Sequence, residues 1–302
     1  MNKLRAVIAL GSKALWRDGE ATPEAQKVAI QKIGDTVAKL SQKYELIIVH
    51  NNEPQLSNIM SPQAAIDDAI SMTQGQIGYW LTQAIDNALM RAKHRRKVAS
   101  LVTQVVVDRN DPAFRHPSKP VGQYYTAKEA VRLAKLYGWE MREDSGRGYH
   151  RIVPSPEPLD IVEKQSILSL LDSGTIVVAA GGGGVPVART KVLKTLKSVE
   201  AVVDADLAAE RLAELVKADL FVSLTDVPNA YLNYGRQEQI ALGFISPAEI
   251  SSYAEQGHFT ADSMLPKIQA AIRFAAKHKI SIVASPKNLE SALARRSGTI
   301  IQ

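Results

Sequence analysis

The chain has 302 residues, of which 45% are hydrophobic and 23% charged, and it contains no cysteine. This length and apolar fraction allow a large core, in one α/β domain or two lobes, while the missing cysteine excludes disulfides and thiolate chemistry. The net charge of +6 suits anionic ligands, and the lack of an apolar run of about 18 residues excludes a membrane-spanning helix.

Met1-Asn2-Lys3-Leu4-Arg5 leads straight into a strand-like run with no signal-peptide pattern, so a cytoplasmic location is expected. Leu4–Leu10 reads as a buried strand ended by Gly11-Ser12-Lys13. Thr22 is placed to cap a helix, with Pro23 in its first turn and Ala25 three residues after the cap. That helix is expected to reach Gln42, and Glu45–Val49 forms the next strand, completing a βαβ unit in an at least partly parallel sheet. Ser61–Ser71 and Gly75–Ala92 read as two helices. The small, apolar and aromatic residues of Gln76–Leu81 suit either plain core or a dimer seam. The basic cluster Lys93–Lys97 reads as charges favourable at a helix C-terminus rather than as a nucleic-acid patch.

Val98–Val107 is rich in valine and reads as one strand. The polar, proline-punctuated stretch from Asp108 to Tyr125 predicts a subdomain or lid, followed by a helix over Lys128–Tyr137 and a turn at Gly146–Tyr149. Arg151–Pro154 is expected to re-enter the sheet, and Pro154-Ser155-Pro156-Glu157-Pro158 to continue neither helix nor central strand. Helices are then expected at Asp160–Leu171, Asp206–Lys217, Pro247–Gln256 and Ser263–Lys277, with Ser263 opening the last. The intervening strands are Thr175–Ala180, Val199–Asp204, Leu220–Leu224, Ile280–Ala284 and Thr299–Ile301.

Gly181-Gly182-Gly183-Gly184 directly follows one of these strands. Glycines there let backbone approach a ligand and turn N–H groups towards an anion, which points to phosphate or nucleotide contact. The plainer alternative is a tight turn with no ligand. The run matches neither the P-loop nor the dinucleotide fingerprint. The six histidines are scattered and show no metal-ligand spacing.

Taken together, several segments resemble carbamate kinases of the amino-acid kinase family. They are Ala9-Leu10-Gly11, Pro54-Gln55, Gln74–Tyr79, Asp111–Phe114, Lys119–Gly122, Val153–Pro156, Gly181–Val187, Val202–Leu207, Ser223–Asp226 and Ser263-Met264-Leu265-Pro266-Lys267. They fall in the family's order across nearly the whole chain. The resemblance implies an open αβα sandwich with a mainly parallel sheet, one domain over residues 1–302 with a protruding subdomain at 108–151, and a homodimer. It also implies reversible phosphoryl transfer between ATP, with Mg, and carbamate. On this basis Lys119 and Lys267 are candidate catalytic charges. Gly11, Ser12 and Gly181–Gly184 are candidates for nucleotide phosphate contact. Asp204 and Asp206 are carboxylates for Mg or nucleotide, and Asn51, Asn52 and Glu53 form the substrate loop.

The departures from the family fall on the chemistry. Its Gly-Gly-Asn is here Gly11-Ser12-Lys13, and its His-Gly-Asn-Gly-Pro-Gln is His50-Asn51-Asn52-Glu53-Pro54-Gln55. Its Asp-Lys-Asp is Asp204-Ala205-Asp206, and its Gly-Ser-Met-Gly-Pro-Lys is Asp262-Ser263-Met264-Leu265-Pro266-Lys267. Loss of one charge that stabilises phosphoryl transfer costs ~10³-fold or more by analogy with arginine-finger losses. Lys13 is the candidate replacement for the lysine absent at Ala205. The family reaction is therefore expected to be impaired or lost. The alternatives are a non-catalytic binding or regulatory paralogue and a kinase for another small acid.

Overall fold

A computed structural model describes residues 3–15, 22–261 and 263–302; Met1, Asn2 and Asp262, named above, lie outside them. The main sheet has eight strands in the order Phe244–Ile245, Thr299–Ile301, Ile280–Ala284, Leu220–Leu224, Leu4–Leu10, Tyr44–His50, Ile176–Val178, Val98–Ser100. All neighbours are parallel except Ile280–Ala284 with Thr299–Ile301.

Both faces of this sheet are covered, which is why its central strands read as unbroken apolar runs. Ala6, Ile8 and Leu10 face helices Pro23–Leu40, Ile66–Arg91 and Leu289–Leu293. Val7 and Ala9 face Lys164–Asp172, Ala205–Leu215 and Met264–Ala275. The αβα layering is thus written into the alternation of one strand. Thr22 caps its helix as expected, its hydroxyl accepting from the Ala25 amide at 3.2 Å.

Several elements differ from the sequence reading. Ile66–Arg91 is one 26-residue helix that runs through Gly75 and Gly78. A glycine inside a long helix costs ~1 kcal/mol and does not end it; at Gly78 the missing side chain makes room for Ser100. Val98–Val107 is not one strand. Val98–Ser100 belongs to the main sheet, while Gln104–Val106 pairs in a second, four-stranded sheet. The break is Thr103, whose N–H donates to Gln74 Oε1 at 3.0 Å and whose carbonyl accepts from Gln74 Nε2 at 3.2 Å. A side-chain amide thus takes its N–H, while its carbonyl is shared with the Val185 N–H of the second sheet, at 2.9 Å.

Arg151–Val153 joins no main-sheet strand. It belongs to Gly148–Val153, which pairs antiparallel with Lys119–Tyr125 and Glu140–Asp144 in a small separate sheet beside helix Ala127–Tyr137. Val199–Asp204 is likewise not a strand. Leu196–Ser198 pairs with Val185–Arg189, and Ala201–Val203 are buried by packing, with Val202 N–H donating to the Pro154 carbonyl at 2.9 Å. Asp160–Ile161 is a short strand, so the helix there is Lys164–Asp172. Ser263 stands at the start of Met264–Ala275 without bonding its first turn; Thr260 Oγ1 accepts from the Met264 amide instead, at 3.4 Å. The loop after Tyr44–His50 turns into an unexpected helix, Glu53–Ile59, with Pro54 in its first turn. Leu56 and Met60 dock it against Val121 of the small sheet.

Candidate active site

Three strands of the main sheet, Leu4–Leu10, Tyr44–His50 and Ile176–Val178, end side by side, and the turns that follow them build the site. After the first, Gly11 N–H donates to the Leu224 carbonyl at 3.1 Å. A Cβ at Gly11 would stand 2.7 Å from Lys267 Nζ and 2.6 Å from the Leu224 carbonyl oxygen. Glycine is what lets this ammonium group lie over the strand end. Lys267 Nζ donates to Asp206 Oδ2 at 2.8 Å, both side chains being buried. Ser223 Oγ donates to the other oxygen, Asp206 Oδ1, at 2.7 Å.

Asp204 caps helix Ala205–Leu215: its Oδ1 accepts from the amides of Asp206 at 2.9 Å and Leu207 at 3.3 Å. Its Oδ2 accepts from Lys119 Nζ at 3.1 Å, the lysine arriving on the small sheet. Burial pushes the Asp204 carboxyl up, but Lys119, Lys267 and the Leu207 amide together outweigh it and hold the group below its ordinary range. Burial pulls the Lys119 ammonium down, and Asp204 with Glu53 outweighs that and holds it above its ordinary value. Both therefore stay charged at neutral pH.

The residues expected to form a substrate loop divide. Asn51 Oδ1 accepts from the Glu53 amide at 2.9 Å. Asn52 is buried, and its Nδ2 donates to Thr73 Oγ1 at 2.7 Å, so it packs rather than presents a free amide. The exposed Glu53 accepts from Ser12 Oγ at 3.1 Å. Two ammonium groups here thus stand against three carboxylates. Lys13 lies elsewhere: its Nζ is 3.8 Å from Asp226 Oδ2, with both side chains about half exposed. The crevice around Ala205 is lined by Gly11, His50, Asn51 and Asp206, without Lys13.

The glycine run is buried and left-handed at three positions, with φ of 61°, 86° and 79° at Gly182, Gly183 and Gly184. Gly183 and Gly184 donate their N–H groups back into the turn, to Ala180 and Gly181. Anion contact by amides is therefore left to Gly181 and Gly182. The preceding Ala180 is itself left-handed, with φ 52°. It is held by Thr103, whose Oγ1 accepts from the Ala180 amide at 2.7 Å.

Sequence reasoning missed the Gln74–Thr103–Ala180 clamp and His50, whose ring lies against Gly181. Burial pulls His50 down to about 4 from 6.5, so it is neutral at pH 7. The unfolded chain takes up this proton first as pH falls, so the stability contribution is complete above about 6.5 and is lost towards pH 4. Urea unfolding should show about 2 kcal/mol less stability at pH 5 than at pH 7 from this group. The His50→Gln chain should lack that part of the slope, and parallel curves would refute the assignment.

The sequence matches the amino acid kinase family over residues 4–284. The chain belongs to this family. It is 44% identical to the carbamate kinase of Thermococcus kodakarensis, with 98% of each chain covered. It is 37% identical to the carbamate kinase-like protein YqeA of Escherichia coli, again with 98% of each covered. Among solved structures, the carbamate kinase of Giardia lamblia bound to AMP-PNP superposes with a TM-score of 0.92 at 36% identity, covering 99% of this chain and 98% of that one. The open αβα fold expected from the resemblance is the fold of this family member.

Proposed function

We propose that this chain is a phosphotransferase of carbamate kinase type, moving a phosphoryl group reversibly between ATP with magnesium and carbamate. We further propose that it turns over more slowly than the same scaffold with lysine at 205 and glycine at 53. The observation that carries the reading is the juxtaposition of Lys267–Asp206 and Lys119–Asp204 at the carboxyl ends of the parallel strands, where α/β sheets receive ligands.

Phosphoryl transfer asks mainly for positioning and positive charge. Asp204 and Asp206 hold the two ammonium groups aimed at the strand ends, and phosphate oxygens would take over part of that partnership. Gly11 keeps the approach open, and the amides of Gly181 and Gly182 offer further donors. Among the described residues no group of three or more His, Asp or Glu is arranged to hold a metal ion alone. Magnesium fits as a companion of the nucleotide's phosphates, with Asp204 and Asp206 as nearby carboxylates. The bound nucleotide would supply the phosphoryl group, and its metal would screen the charge.

The test is ATP formation from carbamoyl phosphate and ADP with magnesium, alongside calorimetric ADP titration. Turnover that disappears in Lys119→Ala supports the reading; neither binding nor turnover overturns it. A second reading, nucleotide binding without turnover, is favoured by Glu53 and Ala205. Ala205→Lys combined with Glu53→Gly should raise the rate by about 10²-fold, the effect of one well-placed donor. An unchanged rate with intact ADP binding would favour the second reading.

A homodimer completes the proposal. Met72, Tyr79 and Met90 are 64%, 56% and 67% exposed. Their spacing puts them on one stripe of helix Ile66–Arg91, and such a stripe suits a partner. Sedimentation at the monomer mass of 32.9 kDa would end that part.

A further inference from the structure

At the opposite, amino-terminal edge of the main sheet the chain gathers a second set of charges. Lys3 precedes Leu4–Leu10, His94–Lys97 lead into Val98–Ser100, and Ser173–Thr175 lead into Ile176–Val178. With Tyr44–His50 these strands are consecutive in the sheet. Their lead-in segments line an open cleft of about 650 Å³ whose lining includes Lys3, Gln42, Arg95, Arg96, Lys97 and Thr175 and, among the described residues, no carboxylate.

Lys3 and Arg96 bond backbone oxygens here, and Glu45 offsets only part of their charge. Lys3 Nζ donates to the Ser41 carbonyl at 3.0 Å, and an Arg96 guanidinium N–H to the Tyr44 carbonyl at 3.2 Å. Both partners are backbone oxygens. The nearby acid, Glu45, is held by Arg5 at 2.8 Å. Burial, and then the charge of Arg96, hold Lys3 below its ordinary value, and burial does the same to Arg96. The plain reading is that these residues serve the helix C-termini that meet here, those of Pro23–Leu40, Ile66–Arg91 and Lys164–Asp172. Magnitudes decide against that as the whole account. Each helix end carries roughly half a negative charge, about one and a half in all. Lys3, Arg95, Arg96 and Lys97 bring four full positive charges. An excess of about two and a half remains, and most N–H donors of Arg96 and Lys3 are still available.

We propose that this cleft binds a small phosphate anion carrying two or more negative charges, of about pyrophosphate size, at a site separate from the phosphoryl-transfer centre. Arg96 and Lys3 would grip it, with Lys97 beside them; the Gln42 amide nitrogen is bonded to His94 Nε2, and Thr175 Oγ1 to Ser173 Oγ at 3.0 Å. The proposal does not depend on the kinase reading.

Calorimetric titration of the full chain with pyrophosphate, without magnesium and at physiological ionic strength, tests it. Wild type should bind at one site, and Arg96→Gln with Lys97→Gln should weaken binding about tenfold or more. Lys119→Gln, which alters the phosphoryl-transfer centre, should leave binding within about twofold. So should Lys191→Gln with Lys194→Gln, which removes the same charge from the exposed hairpin after Val185–Arg189. Lys97 is exposed, so Lys97→Gln alone keeps the test open if the double variant unfolds, with about threefold weakening expected. Absence of binding to wild type overturns the proposal. So does equal weakening in the hairpin control, which would indicate diffuse attraction. Loss in Lys119→Gln with retention in the Arg96/Lys97 variant would move the anion to the other site.

Discussion

If the proposed phosphoryl transfer holds, Lys267→Met should lower ATP formation from carbamoyl phosphate by about 10³-fold or more, the effect expected when a positive charge at a transferring phosphoryl group is removed. The same substitution should also destabilise the fold. Lys267 and Asp206 are both buried and 2.8 Å apart, and removing one member of such a pair leaves the other charge without compensation, at about 3–5 kcal/mol. The two effects are separable. In Lys267→Met with Asp206→Asn the buried charge is gone, and the introduced amide oxygen remains an acceptor for Ser223, which in the wild-type chain bonds Asp206 Oδ1 at 2.7 Å. Urea unfolding should recover most of the lost stability in the double variant while turnover stays down. A folded double variant within tenfold of wild-type turnover would remove Lys267 from the chemistry. Recovery of both together would make the single variant's defect one of folding alone.

That both members of this pair can be singled out as candidates, but not their contact, follows from where the information lies. The strand Leu4–Leu10, the glycine run, and Asp204 and Asp206 at a turn before a helix are local patterns, carried by composition and periodicity. Lys119 and Lys267 are candidates only through motif resemblance, since an isolated lysine looks like any solvated charge. What stays hidden depends on partners far away in the chain. Gln74 bonds both backbone groups of Thr103, so a valine-rich run that reads as one strand is divided between two sheets. Lys13 has no local signal choosing between Ala205 and Asp226; the fold places its amine 3.8 Å from Asp226. Val199–Asp204 is apolar because Ala201, Val202 and Val203 are buried, and burial without a ladder mimics a strand in sequence. Composition points all four glycine amides at an anion, yet Gly183 and Gly184 donate within their own turn, which only the backbone path reveals.

The glycine run yields the second large effect, on stability. Gly183→Ala should cost about 3 kcal/mol or more, against about 1 kcal/mol for Gly174→Ala. The two positions share a left-handed backbone, with φ of 86° and 81°, so conformational strain is common to both. They differ in space. A Cβ at Gly174 meets nothing within 4 Å, whereas one at Gly183 stands 2.2 Å from the Val203 carbonyl oxygen and 2.8 Å from its carbon. Backbone cannot rotate away as a side chain can, so either the turn or Val203 must move. Val203 immediately precedes Asp204, which caps helix Ala205–Leu215 and binds Lys119. Movement there therefore displaces the Lys119–Asp204 pair as well, and turnover should fall in Gly183→Ala but not in Gly174→Ala. Urea midpoints and ATP formation measured on both variants decide it. Equal stability losses would mean that the backbone around Val203 yields freely and that the glycine is kept for its dihedral angle alone. Unequal losses with unchanged turnover would uncouple the packing of this turn from the position of Asp204.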